Sequence, residues 1–122
     1  MDSYMMTFSE KKLSILGSGT MGHSIALAAA LAGMEVRVWG TGEQDIERGR
    51  LGVAEKITIL RKHDVIDSTE ANVIEDRIGF TDSLEECISG ATFIIEAVPE
   101  NLALKQKLFF RSWIAFASQM LF

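Results

Sequence analysis

The chain has 122 residues, enough for one domain with a core. Hydrophobic residues make up 48% of it and charged residues 24%, which suits a folded globule and not a disordered segment. The net charge of -5 supplies no basic footprint, so nucleic acid is not expected as a partner. The one cysteine, Cys87, rules out an internal disulfide, and a reducing, cytoplasmic setting follows as the expectation. Cys87 is expected to pack as a small apolar residue. Met1 to Glu10 carries two acids and no apolar core of signal-peptide length.

In chain order, Glu10 to Leu16 reads as a first strand, with Leu13, Ile15 and Leu16 suited to burial. Gly17-Ser18-Gly19-Thr20-Met21-Gly22 follows directly. Gly17 permits a tight turn off the strand. Gly19, with no Cβ, lets a pyrophosphate approach the backbone, and Gly22 lets the next helix pack closely. That helix runs from Thr20 to Ala32, ends at Gly33, and aims its unpaired N–H groups at the phosphates. A strand before the glycines and a helix after them is the context a dinucleotide fingerprint requires.

Glu35 to Trp39 forms a second strand, parallel to the first through a right-handed crossover. Asp45 to Lys62 is an amphipathic helix carrying Ile46, Val53, Ile57 and Leu60 on one stripe. Asp67 and Glu70 form a capping pair for a helix from Ser68 to Asp76. Ile78 and Phe80 mark a third strand. A helix then starts at Thr81 and Asp82, with Ser83-x-x-Glu86 available for capping, and ends at Gly90. Ala91 to Val98 is a near-continuous apolar run, the pattern of a strand buried on both faces, and Pro99 stops it. Glu100 to Phe110 can be helical. This alternation specifies an α/β fold with a doubly wound parallel sheet and a helical insertion between the second and third strands. Strand order 3-2-1-4 would set the glycine loop beside the carboxyl end of the fourth strand, at the switch point where a dinucleotide lies.

Three stretches resemble the N-terminal half of the 3-hydroxyacyl-CoA dehydrogenase family, which includes 3-hydroxybutyryl-CoA dehydrogenases. They are Gly17 to Ala26, the insertion from Asp45 to Arg77 with the Ile78-to-Leu84 segment after it, and Ala91 to Lys105. The resemblance covers about residues 11 to 110 and implies a Rossmann domain that binds NAD. It places the pyrophosphate on Gly17, Ser18, Gly19, Thr20, Met21 and Gly22. It sets Ala97 and Val98 along the nicotinamide-side ribose, and Glu100 and Lys105 as an acid and a base that contact the cofactor. Taken by themselves, Glu100 is a helix N-terminal acid and Lys105 a solvated helix residue.

The chain departs from the family at two places. The fingerprint wants an acid after the second strand to hold the ribose 2′-OH, and the matching position is Gly40. Thr41 offers one hydroxyl there, and Glu43 is near enough to swing in. No arginine directly follows Gly40, so a clean NADP site is not indicated. The second departure is the tail from Leu108, where eleven of fifteen residues are apolar. The family continues instead with a polar helix, a further strand, a catalytic histidine with its glutamate, and a helical dimerising domain. Residues 1–122 are therefore expected to form a dinucleotide-binding domain incomplete at its C-terminus, inactive alone, with no catalytic residue and no metal ligand. The tail falls short of the roughly 18 residues a membrane span needs and offers a surface for self-association. The acyl-CoA substrate would belong only to a full-length form, placing the chain in fatty acid metabolism. His23 is expected to be solvated near the phosphates, and His63 to sit at a helix end. The alternatives are a non-catalytic dinucleotide-binding module, or a hydroxyacid dehydrogenase of the carnitine or gulonate type.

Overall fold

Side chains alternate across a strand, and in two short strands that alternation builds two cores. β1 (Lys12–Leu16) and β2 (Glu35–Trp39) lie side by side, parallel, with Ile15 opposite Val38. A computed structural model describes residues 11–97. In it β3 (Ile78–Thr81) adds to the far edge of β2, and β4 (Phe93–Glu96) to the other side of β1. The sheet is parallel throughout, in order β3-β2-β1-β4, the expected arrangement.

Among the described residues four helices pack on it: α1 (Thr20–Leu31), α2 (Glu43–Lys62), α3 (Ser68–Asp76) and α4 (Leu84–Ile88). Leu13, Ile15, Val36 and Val38 meet Ala26 and Ala30 of α1 and Val53 and Ile57 of α2. The two alanines are fully buried, which brings α1 close to the strands. Leu16 and Trp39 face the opposite side and pack on Leu84, Cys87 and Ile88 of α4. Trp39 donates its indole N–H to Asp82 O at 3.0 Å, so this second core has its polar edge satisfied.

The helix ends follow their local chemistry. Glu70 N–H donates to Asp67 Oδ1 at 2.7 Å and the Glu70 carboxylate accepts from Asp67 N–H, the expected capping box of α3. Ser83 accepts from Glu86 N–H, so α4 starts at Leu84, later than Thr81, which the β3 ladder retains. Gly33 takes φ 98° and turns the chain out of α1, and Met34 N–H returns to Ala29 O at 3.0 Å. α2 begins at Glu43, ahead of Asp45, and both acids sit in its first turn, where the helix dipole favours them.

Cys87 is buried, as expected. Burial pushes its thiol up from 9.0 to about 11, and the Ser14 hydrogen bond and the Arg37 charge pull it back only in part. One expectation fails. β4 is not buried on both faces: Phe93 is 51% exposed and Glu96 is exposed. Among the described residues β4 is the outer strand, paired with β1 alone, and nothing described covers its far side. No helix among the described residues is long and apolar enough to cross a membrane.

α1 approaches the turn after β1 so closely that a Cβ at Gly22 would lie 1.8 Å from Gly17 O. Backbone must move to admit it. Gly22→Ala is expected to destabilise the domain by about 3 kcal/mol, the upper range for overpacking, read as a lowered urea midpoint with the slope unchanged.

Candidate functional site

The site forms at the carboxyl ends of β1 and β4. Gly17 leaves β1 with φ 126° and donates its N–H to Trp39 O at 2.8 Å. A side chain would be strained at that φ. Ala97 N–H donates to Leu16 O at 2.8 Å, which sets the end of β4 directly beside the turn. The glycine loop and Ala97 therefore meet at the switch point, where β1 has β2 on one flank and β4 on the other.

Gly19 is the N-cap of α1, and no side chain caps the helix. Its first turn also carries no acid. The first intrahelical bond is His23 N–H to Gly19 O, 2.9 Å. Thr20, Met21 and Gly22 lie ahead of it, in the turn whose N–H groups have no carbonyl within the helix to bond. The other helices differ: α3 and α4 have side-chain caps, and α2 has two acids in its first turn. Among the described helices only α1 presents an uncompensated positive end, and a Cβ at Gly19 would meet nothing within 4 Å. That is the space and the charge a pyrophosphate fits. Thr20 and Met21 are exposed at the mouth, and Met21, 67% exposed, adds apolar contact surface.

Ser18 is turned the other way. Its side chain is buried and donates to Asp45 O of α2 at 2.8 Å, so it has only backbone to offer a ligand. Gly40 ends β2 with its N–H on Thr81 O. It is buried, and a Cβ there would lie 3.0 Å from Ile46 Cγ1 and 3.1 Å from Ser18 Oγ. The corner where a ribose-binding carboxylate would start is thus partly taken by Ile46 and Ser18. The Thr41 hydroxyl is already engaged with the Asp45 carboxylate. Asp45, not Glu43, is the acid joined to this loop. The sequence marks it only as a first-turn helix acid.

His23 corrects an expectation. It is 6% exposed and not solvated. Its ring lies between the glycine loop and α2, with Nε2 2.8 Å from Lys56 Nζ and Nδ1 3.3 Å from Ser18 O. Gly52 makes room: a Cβ there would sit 2.4 Å from the ring. Gly49, Gly52 and Lys56 recur at helical spacing, a readable signal once α1 and α2 are known to face each other. His63 is exposed at the C-cap of α2, as expected. Val98, Glu100, Lys105 and the apolar tail lie outside the described residues.

The family model for the 3-hydroxyacyl-CoA dehydrogenase NAD-binding domain matches residues 12–120, past Leu108 and into the apolar stretch. A probable 3-hydroxybutyryl-CoA dehydrogenase of Bacillus subtilis is 31% identical over 99 residues, 81% of this chain and 34% of that protein. An L-carnitine dehydrogenase of a Pseudomonas species is 33% identical over 98 residues, 80% of this chain and 29% of its own length. The crystal structure of a (S)-3-hydroxybutyryl-CoA dehydrogenase from Ralstonia eutropha superposes with a TM-score of 0.76 at 28% identity, covering 81% of this chain and 35% of that one. The chain spans about a third of the length of the curated relatives it matches.

Gly19 and Gly22 differ in what each leaves room for. Gly19→Ala is expected to keep the melting temperature, since its φ of -66° suits alanine and its surroundings are open. It is expected to weaken NAD about tenfold or more in a calorimetric titration, because the methyl group occupies the phosphate approach.

Proposed function

The chain belongs to the family of NAD-binding domains of 3-hydroxyacyl-CoA dehydrogenases, and from that premise we propose that it holds the dinucleotide across the β1–α1 turn. The carrying observation is the uncapped, acid-free N-terminus of α1 beside the open Gly19. The backbone N–H groups from Ser18 to Gly22 face the pyrophosphate, with the Met21 side chain exposed beside it. Ala97 and Val98 border the nicotinamide-side ribose, and Glu100 and Lys105 reach the cofactor from beyond β4. Gly40 provides no acid, and Asp45 in the first turn of α2, joined to Thr41, is the carboxylate offered to the other ribose. When bound, NAD supplies the two-electron hydride acceptor.

The proton half of such an oxidation needs a base within hydrogen-bond reach of the substrate hydroxyl. The sequence holds two histidines. His23 is bonded on both ring nitrogens, and His63 is at the far end of α2. We therefore read the chain as the cofactor-holding part of a 3-hydroxyacyl-CoA oxidation, inactive by itself, in the cytoplasmic metabolism of fatty acids. The likeness to an L-carnitine dehydrogenase favours a second reading, in which the whole protein oxidises a different hydroxyacid.

Titration of NAD into the 122-residue chain, beside an absorbance assay with 3-hydroxybutyryl-CoA, tests the reading. Saturable binding without turnover is expected. Absence of binding contradicts the cofactor role, and turnover contradicts the inactivity.

The ribose corner gives a separate expectation. Gly40→Ala measures the steric cost at Ile46 and Ser18, and Gly40→Asp adds the carboxylate. Relative to Gly40→Ala, Gly40→Asp is expected to bind NAD about tenfold tighter, the size of one hydrogen bond to a charged group, and to leave NADP no tighter. Equal NAD affinity in the two variants would place the ribose elsewhere.

A further inference from the structure

A peptide group is planar and trans, so its C=O and N–H point in opposite directions. Wherever the Ser18 carbonyl is held, the Gly19 N–H is fixed the other way. The carbonyl is held on α2's side. His23 Nδ1 lies 3.3 Å from Ser18 O, and a Cβ at Gly49 of α2 would lie 3.0 Å from the same oxygen. The oxygen is thus lodged between α1 and α2, and the Gly19 N–H points away from α2.

Lys56 determines which nitrogen of His23 carries the proton. An ammonium can only donate, so Nε2, 2.8 Å from Lys56 Nζ, must accept. The hydrogen is then on Nδ1, the nitrogen that faces Ser18 O. With Lys56 donating to Nε2, Nδ1 is the nitrogen left to donate toward Ser18 O. Gly52 leaves the ring its seat, and the ring is 6% exposed.

We propose that His23, with its tautomer set by Lys56, is a positioning residue that orients the Ser18–Gly19 peptide so that the Gly19 N–H faces the pyrophosphate. The proposal rests on the reading that the loop binds a dinucleotide. It adds a specific cause for the loop's orientation, carried by Lys56 through His23 to the Ser18 carbonyl.

The test titrates NAD, ADP and adenosine into the full 122-residue chain and into His23→Asn and His23→Leu. An asparagine amide can donate from near the Nδ1 position, so His23→Asn is expected to keep NAD and ADP affinity within about threefold. His23→Leu fills the space without a donor and is expected to weaken both about tenfold. Adenosine has no pyrophosphate and is expected to bind all three proteins equally. Three results overturn the positioning role alone: unchanged NAD affinity in His23→Leu, a loss in His23→Asn as large as in His23→Leu, or a parallel loss for adenosine. If the unaltered chain binds no NAD, the underlying reading falls and this proposal with it. Should His23→Leu fail to fold, Lys56→Met is measured instead. Weakening of NAD by about threefold supports the role, and unchanged affinity overturns it.

Discussion

An α-helix that starts with neither a capping side chain nor an acid is the constraint on which the site depends. α1 begins at Gly19 in that condition, while α2, α3 and α4 each meet their positive ends with acids or caps. A polar side chain at the N-cap would stabilise the helix, typically by about 1 kcal/mol. Leaving it out keeps the N–H groups available to an anion. The surrounding glycines serve that end differently. Gly17 makes the turn at a φ closed to other residues, Gly22 brings the helix onto it, and Gly19 leaves the approach open.

The sheet places this helix end where a long ligand can lie across it. β1 is flanked by β2 and β4, and the connection from β3 crosses over to reach β4 on its other side. α1 and α2 pack on one face through Ala26, Ala30, Val53 and Ile57, and α4 packs on the other through Leu84, Cys87 and Ile88. Both cores end at the glycine turn. Leu16 and Trp39 complete one below it, and Ser18 and His23 extend the other toward α2.

Much of this was legible because the signals were local. Asp67 and Glu70 are three residues apart and cap α3 as their spacing requires. β2 has the expected bounds, set by Val36 and Val38 alternating and by Gly33 before them. What was not legible depends on which elements touch. The apolar run at Ala91 to Val98 resembles a doubly covered strand, but coverage belongs to neighbours, and β4 has only β1 among the described residues. His23 looks solvated next to a glycine loop until α2 is seen to carry Gly52 and Lys56 against it. Gly40 is visible as a missing acid, yet only the packing shows Ile46 and Ser18 in its corner.

The most direct test of the whole account is amide NMR of the 15N-labelled chain during an NAD titration. If bare N–H groups at the start of α1 receive the pyrophosphate, the largest shifts fall on Gly19, Thr20, Met21 and Gly22, and the amides of α3, far from the turn, stay in place. Shifts centred elsewhere, with those four amides unmoved at saturation, would contradict it.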